Sequence, residues 1–578
     1  MRNTKIVATL GPASLKGDVF RRMVAAGVDV ARVNLSHGSV DRHRETIRLV
    51  RAVEREAGRP IGILLDTAGP EVRVRTRDPQ GLALEPGSRV TLGLDEACDL
   101  KPTIPGVVDY IARGHRLIVG DGNIILEAVD VTGSVVEAVV VAGGLLGDNK
   151  KITCPGVDWA LPVLTEQDKA SLAMGIEEGI DWIAASFIRT GDDVIDVRRQ
   201  VESWGGGDIP IMAKIETRLA IDNLDAIVRL ADGMMVARGD LGVEFPPEDV
   251  PWLQKQIIEA ANQAGKPVIT ATQMLESMVH EGRPTRAEVT DIFHAVWEGT
   301  DAVMLSEETA VGDYPVAAVE VMARTAEVSE QHLWDRTDRG RYRSGTVTDA
   351  VCHAALTAAE DLGARLIITA TESGHTARSM AAHRPRVPIL AVTPYERVAR
   401  RLTMVWGLHT HLMSPHITAE AMIDEAAAIA MSTGWADPGD RVIITLGAPL
   451  GESGSTNVLR VVTMGDVLLR GQGLGPEGEV QGHVLVLTDP ERVTPDMAKG
   501  RVVVVAHGNP EWTPYMEQAC AIIAESGGLT SPPAIVGISL GIPTIIGVTD
   551  ATVVLSDNQW VTVDARAGVI RQGHRASS

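Results

Sequence analysis

The chain has 578 residues, a formal net charge of −22 and a pI near 5.2. That length exceeds what one hydrophobic core organises, so three or four domains are expected. The acid excess argues against a nucleic-acid partner, and no run of about 18 apolar residues is present to span a membrane as a helix.

The N-terminus, Met1-Arg2-Asn3-Thr4-Lys5-Ile6-Val7, runs straight into a strand pattern with no apolar signal segment. Cys98, Cys154, Cys352 and Cys520 are scattered and form no C-x-x-C pair, which reads as free thiols in a reducing compartment. A cytoplasmic location is expected. From Lys5 onward, short apolar runs alternate with stretches of helical period, the pattern of consecutive βα units. Strands are predicted at 5–10, 29–34, 61–66, 181–187, 209–215, 233–237, 267–272 and 301–305. Eight parallel strands close a (β/α)8 TIM barrel, so the fold class is α/β. Before the last strand, Thr285 followed by Glu288 predicts a capping box and a helix start.

The third βα unit is interrupted after Asp66-Thr67-Ala68-Gly69-Pro70-Glu71. Short strands with turn signals follow, such as Glu85-Pro86-Gly87-Ser88, and helical period returns near Thr165. Residues 1–71 and 160–337 are therefore assigned to the barrel, and 72–159 to an inserted β-barrel lid over its C-terminal face. A polar linker at 338–345 opens an α/β regulatory domain, 338–472, with strands at 366–370, 389–393 and 441–446. Its loops 369–376 and 451–457 are rich in small hydroxyl residues, which suits either a phosphate cradle or ordinary polar turns. Residues 473–578 form a further domain, with a helix predicted at 516–524 and a closing strand at 561–564.

Two barrel strands end in charge. Pro210-Ile211-Met212-Ala213-Lys214-Ile215-Glu216 delivers a lysine and a carboxylate, and Met235-Val236-Ala237-Arg238-Gly239-Asp240 delivers a second carboxylate. In a parallel barrel these strand ends share one crater, so Lys214, Glu216 and Asp240 converge. Two carboxylates beside a lysine suit Mg²⁺ and a phosphorylated ligand; a plain surface ion pair of Lys214 and Glu216 is the other reading open at this point.

Four longer motifs resemble the pyruvate kinase family: Val30-Ala31-Arg32-Val33-Asn34-Leu35-Ser36-His37-Gly38, Met212 to Glu216, Val236 to Gly242, and Ala271-Thr272-Gln273-Met274-Leu275-Glu276-Ser277-Met278. The resemblance implies phosphoryl transfer from phosphoenolpyruvate to ADP, giving pyruvate and ATP. By that similarity Arg32 and Lys214 hold the transferred group, and Glu216 and Asp240 ligate Mg²⁺ or Mn²⁺. Asn34, Ser36, Asp66 and Thr67 correspond to a K⁺ site, and Glu71 marks K⁺ dependence. Asn34, His37, Arg73 and Lys151 correspond to nucleotide contacts, the backbone N–H groups of Gly239 and Asp240 to a substrate carboxylate site. Thr272 falls near the enolate carbon; a helix cap is its alternative role. Thr371, Ser373, Gly374 and Thr376 match an effector site for a sugar phosphate or nucleoside monophosphate, and the family implies an allosteric homotetramer.

Ala68 stands where many relatives carry lysine, and Glu307 where glycine is usual. Lid cations and K⁺ ligands separate this chain from a lyase or aldolase acting on a pyruvate enolate, and the intact Lys214, Glu216, Asp240 and Thr272 separate it from a non-enzymatic sensor. The stretch Ala524-Glu525-Ser526-Gly527-Gly528-Leu529-Thr530-Ser531-Pro532-Pro533-Ala534 resembles the mobile phosphohistidine domain of phosphoenolpyruvate synthases and dikinases. Pro532 holds the place of the phosphate-carrying histidine, and proline has no nucleophilic nitrogen. That domain is expected to be structural or regulatory.

Overall fold

The computed structural model describes residues 2–78, 80–120, 122–333, 345–437, 439–447, 456–465, 467–476, 478–489 and 493–573. Most of the predicted polar linker and Gly451 to Ser455 of the second hydroxyl-rich loop lie outside them. The chain divides into two compact units, the first comprising 1–357, 367–423 and 445–459, the second 358–366, 424–444 and 460–578.

In the first unit, eight parallel strands close a barrel in sequence order: β1 (Lys5–Thr9), β2 (Val30–Asn34), β3 (Gly62–Asp66), β4 (Trp182–Ala185), β5 (Ile211–Ile215), β6 (Gly233–Ala237), β7 (Val268–Ala271) and β8 (Ala302–Leu305). Closure is made by β1, which pairs with β2 on one side and β8 on the other. Every residue of β1, β3, β4, β6, β7 and β8 is buried, as expected for strands covered on both faces. Each fully buried Ile, Leu, Val or Met there contributes about 1.5–3 kcal/mol relative to exposure. The strand ends therefore sit on a rigid wall. The predicted capping box forms, with Thr285 accepting from Glu288 N and Glu288 reaching back, and it starts the Arg286–Glu298 helix.

The lid follows Asp66 as a second closed barrel, with the strands Arg73–Thr76 and Lys150–Thr153 adjacent and antiparallel. Their register sets Lys151 directly opposite Arg73. Alternation then places Val74 and Ile152 in the lid core and leaves Arg73 and Lys151 half-buried on the other face. The chain leaves the lid through Thr165, the N-cap of the Glu166–Glu177 helix, whose capping box uses Asp168. Further on, Leu366–Ala370, Ile389–Thr393 and Leu408–Leu412 pair in parallel, and Arg441–Gly447 also forms as a strand.

The second unit contains an eight-stranded mixed sheet whose centre is parallel: Glu479–Leu487, Val502–Val505, Ala521–Ala524 and Thr544–Ile546. Two expectations fail here. The segment predicted as a helix at 516–524 is a short helix, Thr513–Met516, followed by the fully buried strand Ala521–Ala524. A short apolar run carries no period of its own, and the neighbouring strands at Val502 and Thr544 decide for extended backbone. The closing strand, Trp560–Asp564, is not the last; Val569–Gln572 turns back and pairs with it.

Candidate active site

At the C-terminal end of the barrel strands, Lys214 is surrounded by oxygen. Its ammonium donates to Ser186 Oγ at 2.7 Å and lies 3.4 Å from both Asp66 Oδ1 and Glu216 Oε2. Burial works to discharge it, and Asp66, Glu216 and Asp240 overcome that, holding its pKa above the usual lysine range. The Lys214 ammonium and the Glu216 carboxylate are both buried, so their pair is not a surface ion pair. Arg32, midway along β2, donates from Nε to Asp66 Oδ2 at 2.6 Å and from Nη1 to Thr9 Oγ1 at 2.9 Å. Asp66 therefore orients both cations.

Glu216 is fully buried. Its Oε1 accepts from Phe187 N at 2.6 Å, an approach made possible by the left-handed backbone at Phe187, φ 55°. Burial pushes its carboxyl up to about 7; Lys214 opposes the shift and Asp240 adds to it. Asp240 is held at 2.6 Å by Lys151, which reaches from the lid and lies 4.8 Å over the Phe187 ring. Burial opposes charge on Asp240, but Lys151 and Lys214 prevail and lower its pKa. Burial likewise opposes charge on Lys151, and Asp240 raises it.

The nucleotide candidates separate into two groups. Ser36, His37, Glu71 and Arg73 line one cleft of about 730 Å³ between lid and barrel, together with Asn149 and the start of the Glu166–Glu177 helix. Arg73 is paired with Glu71 at 2.7 Å. Lys151 turns instead toward Asp240 and a smaller cavity of about 90 Å³ that Glu71 also lines. His37 is exposed, and its carbonyl accepts from His43. Of the K⁺ candidates, Asn34 Oδ1 accepts from Ser36 N at 3.1 Å and Thr67 Oγ1 from Ser186 N at 2.9 Å, whereas Asp66 Oδ1 is buried without a hydrogen-bond donor.

Thr272 opens no helix of its own, but its hydroxyl caps the first turn of the Arg238–Glu244 helix. Thr272 follows β7 in the left-handed region, φ 68°, and its hydroxyl donates to Ala271 O at 2.6 Å and accepts from Gly239 N at 2.9 Å. Gly239 lies in the first turn of the Arg238–Glu244 helix, so one N–H expected at a substrate carboxylate is held here by Thr272. Among the effector-site candidates, Thr371 Oγ1 accepts from Gly374 N at 2.9 Å, Thr376 Oγ1 lies 2.5 Å from Thr456 Oγ1, and Ser373 O accepts from Arg378. Thr371 and Thr376 are buried and Ser373 is exposed.

Two residues of the site escaped the sequence reading. Ser186, the acceptor for Lys214, follows β4 and carries no local signal. Asp168 does: it is the third helical residue after Thr165, and beyond capping it binds Ala68 N at 2.8 Å and Gly69 N at 3.1 Å, tying the lid hinge to a helix start.

Residues 1–319 match the family described as Pyruvate kinase, barrel domain, and residues 349–462 match Pyruvate kinase, alpha/beta domain. The pyruvate kinase of Geobacillus stearothermophilus is 43% identical over 99% of both chains. The chain belongs to the pyruvate kinase family. Similar full-length agreement holds with the pyruvate kinases of Bacillus licheniformis, 41% identical over 100% of both chains, and Sporosarcina psychrophila, 40% over 99% of both. Residues 497–568 match PEP-utilising enzyme, mobile domain. Within that match Pro532 opens the Pro532–Leu540 helix, with Pro533 behind it.

A divalent cation fits the donor set of this pyruvate-kinase crater. Glu216 Oε2 is buried with no hydrogen-bond donor, and Asp240 faces the same space. Among the described residues no three His, Cys, Asp or Glu side chains form a metal cluster.

Proposed function

We propose that the chain transfers the phosphoryl group of phosphoenolpyruvate to ADP, giving pyruvate and ATP in the last step of glycolysis. The observation that carries this reading is the Lys214 ammonium, buried and held at 2.7 Å by Ser186 and 3.4 Å from Asp66 and Glu216. A preorganised cation needs no reorganisation as charge develops, which is where phosphoryl transfer gains most of its rate. As the bond from phosphorus to the enol oxygen breaks and one to an ADP β-phosphate oxygen forms, Lys214 and Arg32 stabilise the equatorial oxygens. The enolate left behind takes a proton at its methylene carbon, and Thr272 orients the donor. Gly239 and Asp240 N–H groups receive the substrate carboxylate, with Thr272 yielding the Gly239 N–H. Arg73 and Lys151, with Asn34 and His37, bind the nucleotide; the shared cleft of His37 and Arg73 supports this.

Glu216 and Asp240 would hold Mg²⁺ or Mn²⁺, and Asn34, Ser36, Asp66 and Thr67 would hold K⁺; together these ions neutralise phosphoryl charge and polarise the transferred group. Asp66 Oδ1 makes no hydrogen bond, although the Lys214 ammonium lies 3.4 Å from it, and Glu71 supports K⁺ dependence. Regulation acts through Thr371, Ser373, Gly374 and Thr376, with a sugar phosphate or nucleoside monophosphate as effector. Family membership supports a homotetramer. A cytoplasmic location agrees with the finding that no described helix is long and apolar enough to cross a membrane.

The test is a coupled assay of pyruvate formation from phosphoenolpyruvate and ADP with Mg²⁺, with and without K⁺. Activity that requires K⁺ is expected. Activity indifferent to K⁺ removes the cation-site assignment, and no activity with or without candidate effectors removes the proposed reaction. For regulation, Ser373→Ala with Thr376→Ala should abolish activation by the effector; unchanged activation curves remove that site.

A further inference from the structure

Thr272 and Gln273 are consecutive non-glycine residues in the left-handed region, with φ 68° and 54°. A β-branched residue in that region is an outlier, because its Cβ crowds the following carbonyl. Within the turn the Thr272 hydroxyl donates to Ala271 O and accepts from Gly239 N. Arg238 holds the turn from outside: Nε donates to Ala271 O at 3.1 Å and Nη2 to Thr272 O at 2.5 Å. The guanidinium is itself anchored by Asp291, at 2.6 Å from the Arg286–Glu298 helix, and more weakly by Gln254 Oε1 at 3.4 Å. Gln254 is braced in turn by Glu298 at 2.8 Å. The Arg238 side chain is only 10% exposed, so these bonds face little competition from water.

We infer that Arg238 is a positioning residue for Thr272: by clamping the carbonyls of Ala271 and Thr272 it keeps the Thr272 hydroxyl in the crater, where the enolate is protonated. This rests on the role proposed above for Thr272. The planar fork of arginine meets two successive carbonyls at once while its third nitrogen keeps Asp291, a geometry that a lysine ammonium does not reproduce. If Arg238 were instead only an ion-pair partner of Asp291, its loss would lower stability and leave the protonation step intact.

Full-length wild type, Arg238→Lys, Arg238→Met and the double variant Arg238→Met with Gln273→Gly separate these cases. Two quantities are read: kcat and KM for phosphoenolpyruvate, and the rate at which the protein exchanges pyruvate methyl hydrogens with deuterated solvent, which reports the protonation step alone. Arg238→Met is expected to lower kcat and exchange together by on the order of 100-fold, with KM changing far less. Arg238→Lys should fall between. Gln273→Gly should restore part of the loss, because glycine removes the strain at the second left-handed position of the turn while Thr272 stays strained. Exchange near the wild-type rate in Arg238→Met overturns the inference, as does a loss in folded protein that Gln273→Gly leaves untouched. Should Arg238→Met fail to fold by circular dichroism, Arg238→Lys alone and with Gln273→Gly carries the same criteria. A wild type that makes no pyruvate would instead bring down the proposed reaction itself.

Discussion

The barrel crater and the start of the Pro532–Leu540 helix both lie at the ends of buried parallel strands, yet their chemistry differs. In the crater, Arg32, Asp66, Lys214, Glu216, Asp240 and Lys151 are interlocked by bonds as short as 2.6 Å; burial raises the Glu216 pKa, whereas opposite charges raise that of Lys214 and lower that of Asp240. At the helix start, Ser531 is followed by two prolines, and the helix contains no ionisable side chain. Proline suits the first turn of a helix, where its missing N–H has no intrahelical partner to lose. Pro532 therefore suits the backbone here and offers no nucleophile. Scaffold and chemistry are separable, and the side chains decide which strand ends react.

The sharpest way to break this contrast is to remove the crater's cation. Lys214→Met should lower kcat by on the order of 10²- to 10³-fold, measured in the coupled assay, with the fold intact by circular dichroism. A smaller loss would mean that Arg32 carries the transferred charge.

Next in size is the hinge under the lid. Asp168 is wholly buried and accepts from Ala68 N, Gly69 N, Thr165 N and Thr165 Oγ1. Asp168→Ala leaves those donors unpaired and should cost roughly 2–4 kcal/mol in denaturant unfolding. An unchanged midpoint would show that the crater's frame does not depend on this carboxylate.

A third test uses pH. Burial pushes Glu216 up to about 7, with Lys214 opposing and Asp240 adding. The unfolded chain titrates that group near about 4.3, so between the two values the folded protein holds the extra proton. Metal-free stability should therefore fall as pH rises from about 4.3 to about 7, and the cost stays in full above that window. Glu216→Gln should remove this contribution when thermal midpoints are compared in chelator, and Mg²⁺ should raise the wild-type midpoint most above about pH 7.

The smallest effect belongs to the other region. Ile535 and Ile538 are 52% and 56% exposed, so replacing both with Gln should shift stability by less than about 0.5 kcal/mol each and leave kcat unchanged. Incubation with radiolabelled phosphoenolpyruvate should leave no acid-labile phosphate on the chain. Label on the C-terminal domain would erase the contrast.

Much of this was legible in the chain itself. The eight barrel strands are apolar runs bounded by turn residues, and the structure trims them by a few residues at most. Thr285 and Glu288 predicted their helix start because capping is local chemistry. Lys214, Glu216 and Asp240 were readable as a group because a parallel barrel sends all its strand ends to one face. The segment 516–524 was not readable, since four buried apolar residues fit helix and strand alike until neighbouring strands exist.

What the sequence by itself determined is therefore the order of the barrel strands, the lid insertion, the residue types that meet in the crater and the absence of a nucleophilic side chain at Pro532. Those follow from periodicity, capping and side-chain chemistry, which act over a few residues. Only the tertiary structure decided that Ser186 receives Lys214, that Asp168 ties down the lid hinge, that Lys151 turns to Asp240 while Arg73 faces the wider cleft, and that Arg238 holds Thr272 left-handed. Each joins groups far apart in the chain, and their energies come from burial and direct contact. Those terms do not exist until the barrel has closed.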